Sequence, residues 1–224
     1  MNLPLASGAS SCRQQQGILP LAKGMARRLA FLTSNQGKLL EAQQHLAPSG
    51  WQVEQFLIDD KVPELIEPQC DNLEEVAMSK VSQAISILQA DGRGSQAVLV
   101  EDAGLFLHAY PGFPGVYSSS VLASLGCDGI LRLMQEERGA HFEAVAVLWD
   151  GETSHIGRGI CQGKIAERAS HGEGFGFDPI FIPDDLEDGT STDGQPFGAV
   201  SMEMKQRFSH RRKALDELLE ILPK

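Results

Sequence analysis

Short apolar runs of strand length alternate along this chain with segments of helical period, and that alternation limits the folds open to it. Arg28-Leu-Ala-Phe-Leu-Thr33 ends at Ser34-Asn35, as a buried first strand would. Lys38 to Ala47 has Leu39, Leu40, Gln43 and Leu46 at helical spacing and stops at Pro48-Ser49-Gly50. Trp51 to Ile58 is a second strand candidate. The clearest helix is Asn72 to Ala90, where Leu73, Val76, Ala77, Val81, Ala84, Ile85 and Leu88 form one stripe that Asp71 or Asn72 can cap. Ala97 to Glu101 is a short apolar strand, which Leu105 to Ala109 continues after Ala103-Gly104. Phe142 to Trp149 and His155 to Cys161 flank the turn signal Asp150-Gly151, which predicts a hairpin. Ile180 to Ile182 is a short strand boxed by prolines, and a last helix runs from about Ser209 to Leu222. The order predicts an α/β protein: a mixed twisted sheet flanked by helices, in one domain that can fold as two lobes. Ligands in such sheets collect in the cleft where strands end and helices begin.

Charge narrows the partners. The net charge is −11, which argues against a polynucleotide surface. Residues 1–40 hold no Asp or Glu but contain Arg13, Lys23, Arg27, Arg28 and Lys38; the first acid is Glu41. Residues 1–28 are polar and aperiodic and read as a flexible extension, with a weak transit-peptide composition or an early start before Met25 as alternatives. The domain is expected to occupy 29–224. No apolar run approaches the roughly 18 to 20 residues of a membrane span. Cys12, Cys70, Cys127 and Cys161 form no CxxC pair, so a reducing, cytoplasmic setting is expected.

Four segments carry candidate chemistry. Thr33-Ser-Asn-Gln-Gly-Lys38 joins a strand to a helix, where free N–H groups attract anions, Gly37 permits close approach, and Lys38 makes more sense beside a phosphate; an ordinary turn with a solvated lysine is the alternative. Glu101-Asp102 closes an apolar strand, with the two carboxylates on opposite faces unless the chain bends at Gly104. They suit Mg²⁺ or a general base, or are simply solvated. In Gly172-Glu-Gly-Phe-Gly-Phe-Asp178-Pro179 the proline favours an extended Asp178; Phe175 and Phe177 can stack on a base or fill the core, and Asp178 can accept from ring N–H groups. After Ser209, the basic His210, Arg211 and Arg212 open a helix against its dipole, which an anionic ligand would explain. Lys80 interrupts the apolar stripe of the 72–90 helix and must snorkel or meet an anion.

These segments together resemble the inosine triphosphate pyrophosphatases, the Ham1-like family. The resemblance rests on Thr33 to Lys38, Glu101-Asp-Ala-Gly104, Pro111 to Ser118, Gly174 to Phe181 and Ser209-His-Arg211, all in family order. Phe113 to Ser119 and Glu67 to Glu75 look most like its archaeal-type branch. The resemblance implies Mg²⁺-dependent hydrolysis of ITP, dITP and XTP to the monophosphate and pyrophosphate, by a homodimer with a nucleotide-binding cleft between its lobes. It implies Asp102 as general base, with Lys80, like Lys38 and Lys205, neutralising the triphosphate. It implies Glu67 as Mg²⁺ ligand, or Glu64 in another alignment, helped by Asp102 and Glu101. Thr33, Ser34, Asn35, Gln36, Gly37, Lys38 and Lys205 would hold the triphosphate. Phe175, Gly176, Phe177 and Asp178 would hold the base, and His210 and Arg211 would read its 6-oxo group. Ala103 stands where the family has serine, Gln195 where it has lysine, and Phe177 where tyrosine is common. A hydrolase of different base preference, or a weakly active nucleotide-binding protein, is the alternative.

Overall fold

The computed structural model describes residues 27–172 and 174–222. The reading of residues 1–28 as an extension therefore lies almost wholly outside the described residues. Strands β1 (Arg27–Phe31), β2 (Trp51–Gln55) and β3 (Ala97–Leu107) run parallel in the order β2-β1-β3. From β3 the sheet continues antiparallel through β5 (Gly139–Trp149), β6 (Ser154–Ile165) and β7 (Phe181–Pro183), while β4 (Tyr110–Pro114) pairs with β3 off this path. The mixed sheet flanked by helices agrees with the sequence reading, as does the hairpin at Asp150.

The helices divide between the faces according to strand parity. Helix α1 (Gln36–Leu46) and helix α5 (His210–Ile221) cover one face, where Leu39, Ala42, Leu215 and Leu218 pack with Leu99, Ala144, Ala146 and Leu148. Helix α2 (Leu73–Ala90) covers the other face through Ala77, Val81, Ala84 and Leu88, against Val98, Val100, Val145 and Val147. Period-2 alternation along β3 and β5 thus sends neighbouring residues into two different cores. A third cluster joins Leu105, Phe142 and Phe181 to helix α3 (Ser118–Leu133) and helix α4 (Met202–Phe208), both of which the periodic pattern misses.

Two expectations are corrected. The bend that Gly104 would permit is not made: the strand continues through Ala103-Gly104, and β3 keeps continuous register with β5 from Val98 to Leu107. A Cβ on Gly104 would stand 2.3 Å from the Gly115 carbonyl oxygen, so this glycine answers a close backbone approach and not a bend. Asp178 is not extended; Asp178–Ile180 form a single 3₁₀ turn. Among the described residues, no helix is long and apolar enough to cross a membrane.

Candidate active site

The turn from β1 to α1 is built by its own side chains. Thr33 Oγ1 accepts from Asn35 N at 3.1 Å, and Asn35 Oδ1 caps α1 by accepting from Lys38 N at 3.1 Å. A Cβ on Gly37 would stand 2.8 Å from the Phe175 ring, so glycine lets that ring sit against the first turn of α1. Ser34 and Gln36 are exposed. Lys38 extends away from this turn to β3, with Nζ 3.4 Å from Glu101 O and 3.3 Å from Glu101 Oε2.

A cavity of about 220 Å³ opens beside it, lined by Asn35, Lys38, Ala103, Phe142, Phe175, Gly176, Phe177, Asp178, Lys205, His210 and Arg211, together with Gly104, Leu105, Leu122 and the hydroxyl-bearing Ser118 and Ser119. Gly176 has φ +69, a conformation that favours glycine, and lets the loop turn back on itself. Phe175 stands partly exposed, with Lys205 Nζ 4.2 Å from its ring centroid. Phe177 is buried in the third core cluster and serves mainly as core. Asp178 Oδ2 accepts from Phe175 N at 3.0 Å and from Lys205 Nζ at 2.7 Å, so this oxygen orders its own loop.

His210 and Arg211 reach the cavity because α5 lies directly on β6. A Cβ on Gly159 would stand 2.0 Å from His210 O, and one on Gly157 would stand 2.1 Å from Ala214 O. Ser209 Oγ caps the helix by accepting from Arg212 N at 3.3 Å. His210 stacks on Phe142 at 4.8 Å with ring planes 12° apart. Arg211 Nε donates to Glu101 Oε2 at 2.9 Å, and its Nη1 donates to Glu41. Arg212 points elsewhere and pairs with Asp216.

The basic helix start therefore has internal counter-ions. Lys38, Glu101, Arg211, Glu41, Lys205 and Asp178 form a row of alternating charge. Sequence reasoning missed Glu41; its signal was an acid on the apolar stripe of α1, between Leu39 and Ala42. Burial alone would raise the Glu101 carboxyl, but Arg211 and Lys38 hold it down at about 2. Burial, helped by the charges of Arg211, Lys205 and Lys38, pushes His210 well below its ordinary value against the pull of Glu101, so its imidazole is neutral near pH 7. His210 Nδ1 and Glu101 Oε1 are buried and meet no hydrogen-bond partner among the described residues.

On the opposite face of β3 stands a second group. Lys80 Nζ lies 2.7 Å from Asp102 Oδ1 and 2.7 Å from Glu67 Oε1. Glu67 reaches this point because Ile66 is pinned to α2: its N–H donates to Gln83 Oε1 at 2.9 Å, and Gln83 Nε2 donates to its carbonyl at 2.8 Å. Burial raises the Asp102 carboxyl in spite of Lys80 and Lys38. Burial would lower Lys80, but Asp102 and Glu67 raise it. The alternation of a strand is responsible for what this arrangement corrects: Glu101 does not join Glu67 and Asp102, because its side chain faces Arg211 on the α5 side. Among the described residues no three His, Cys, Asp or Glu side chains gather as a metal cluster.

Comparison with known proteins places this architecture. The model of the Ham1 family matches residues 29–221. A dITP/XTP pyrophosphatase of Thermococcus kodakarensis is 43% identical over 192 residues, covering 85% of this chain and 94% of the relative. That of Methanopyrus kandleri is 40% identical over 198 residues, covering 86% and 95%. The solved structure of the Staphylococcus aureus Ham1 protein superposes with a TM-score of 0.63 at 24% identity, over 87% of this chain and 97% of that one. By sequence over nearly all the described residues, with that fold in agreement, the chain belongs to the Ham1 family.

Proposed function

We propose that the chain hydrolyses the non-standard purine nucleoside triphosphates ITP, dITP and XTP to the monophosphate and pyrophosphate. The observation that carries this reading is His210 at the wall of an aromatic cavity, its buried Nδ1 without a partner among the described residues. A neutral imidazole carrying its proton there donates to a 6-oxo group; a 6-amino group would leave donor against donor and the imidazole unpaired. Arg211 supports the same preference, since two of its five N–H donors are committed to Glu101 and Glu41. Phe175 and Phe142 give the purine its apolar faces, and Asp178 through Lys205 keeps the loop in place. The relatives' name, dITP/XTP pyrophosphatase, supports the substrate class.

Ala103 lines the cavity and Asp102 is its neighbour on β3, so the base cavity and the carboxylate–lysine group are one residue apart. Asp102 acts as general base toward the water that attacks the α-phosphorus, and its raised pKa makes it a stronger acceptor. Lys80 holds that carboxylate, and Lys38 with the Thr33–Lys38 turn takes the triphosphate. Glu67 and Asp102, brought together by Lys80, would hold Mg²⁺ beside that lysine, two carboxylates being a donor set that fits the ion. When bound, Mg²⁺ supplies charge neutralisation on the phosphate oxygens.

The working unit in this reading is residues 29–224 as one two-lobed domain, paired as a homodimer in the cytoplasm. The free thiols of Cys70, Cys127 and Cys161 support a reducing setting. The test is product analysis with ITP, XTP, dITP, ATP, GTP and UTP in Mg²⁺, with light scattering for the dimer. Monophosphate and pyrophosphate from the 6-oxo purines are expected, with activity lost in EDTA. Release of inorganic phosphate, or equal use of ATP, would sink the proposal.

A further inference from the structure

Two histidines stand against each other on the α2 side of the sheet, outside the cavity and the Lys80 group. His108 follows the end of β3, its N–H donating to Gly139 O at 2.9 Å, and His141 lies near the start of β5. His108 Nε2 and His141 Nδ1 are 3.4 Å apart, with rings tilted by 43°. This exceeds the roughly 2.7–3.2 Å of an ordinary N–H hydrogen bond. It matches two imidazole nitrogens on one tetrahedral ion: bonds of about 2.0–2.1 Å at the tetrahedral angle hold the nitrogens about 3.3 Å apart.

The His141 ring is held in this pose by its neighbours. His141 stacks on Phe106 at 5.0 Å with planes 5° apart, and a Cβ on Gly115 would stand 3.1 Å from the Phe106 ring. His108 Nδ1 and Glu137 Oε1 lie 2.4 and 2.7 Å from the point where a Cβ on Gly139 would stand, so glycine lets the carboxylate and the ring share that space. Glu137 Oε1 is itself fixed, accepting from Gly139 N at 2.6 Å.

We infer that His108 and His141 form a binding site for one divalent transition ion of the zinc class, separate from the Glu67–Asp102 pair. Imidazole nitrogen selects zinc, copper or nickel over magnesium. His108 is exposed and His141 partly so, which gives water access to the remaining coordination positions. The test is calorimetric titration of the metal-free full chain with Zn²⁺ and, separately, with Mg²⁺. The expected result is saturable one-site Zn²⁺ binding that weakens at least tenfold in both His108→Gln and His141→Gln and persists in the control His171→Gln. Unchanged Zn²⁺ binding in the double variant, or none in the native chain, overturns the site. Cu²⁺ paramagnetic resonance on the native chain gives a check that needs no variant: coupling to two nitrogens supports the site, and coupling to one or none overturns it.

Discussion

Two adjacent carboxylates on β3 have opposite fates. Asp102 sits beside Lys80 and Glu67 with its pKa raised, and Glu101 is locked to Arg211 and Lys38 at about 2. Asp102→Asn is expected to lower kcat by about 10²–10⁴-fold while leaving nucleotide binding measurable by calorimetry. A near-normal rate would remove Asp102 as the base. Glu101→Gln is expected to act on stability, because it leaves Arg211 short of a buried counter-charge, at a cost of about 3–5 kcal/mol at pH 7. The sign follows from a lowered carboxyl: the contribution of Glu101 is complete above pH 4.5 and is lost as the pH falls toward 2. Urea unfolding of both proteins at pH 7 and pH 3 should therefore show the gap narrowing in acid. The split was legible in the sequence, since neighbours on a strand face opposite ways. Glu41 was not: an acid among apolar helix positions declares its role only when its counter-ion is known, and Arg211 lies 170 residues further along.

At the scale of elements, the seat of α5 on β6 sets the wall of the cavity proposed to take the base. Gly157 and Gly159 bring helix backbone against strand backbone, and His210 begins that helix. Gly159→Ala is expected to cost about 1–3 kcal/mol through overpacking, and to raise KM for ITP more than it lowers kcat. Thermal unfolding and steady-state kinetics on one preparation check both halves; an unchanged KM would detach the seat from the site. Strand and helix order was readable wherever one period ran unbroken, as in α2 and the β5–β6 hairpin. Helix α3 was not readable, because serines crowd its start and Gly126, at φ +64, interrupts it. Gly104 misled for a related reason: a glycine in a strand signals either a bend or a close neighbour, and the neighbour, Gly115, comes from a turn with no periodic signature.

Over the whole molecule, net charge says little about the site. A chain at −11 binds its polyanion, on this reading, through a few cations held in place by buried acids. Ligand linkage gives a global readout. In the Asp102→Asn protein, ITP at 100 times its Kd should add about 2.7 kcal/mol to unfolding stability, with ATP at the same concentration adding much less. Equal stabilisation by both nucleotides would refute selection at the base. Strand β3 has a wider consequence for how such a protein can change over generations. It is a partition one residue thick, with the groups proposed to choose the base on one side and the groups proposed to cut the anhydride on the other. Substitutions on the first side can retune which nucleotide is accepted without dismantling hydrolysis, and those on the second can adjust turnover without rewriting preference. Selectivity and speed are then separately heritable traits of neighbouring residues.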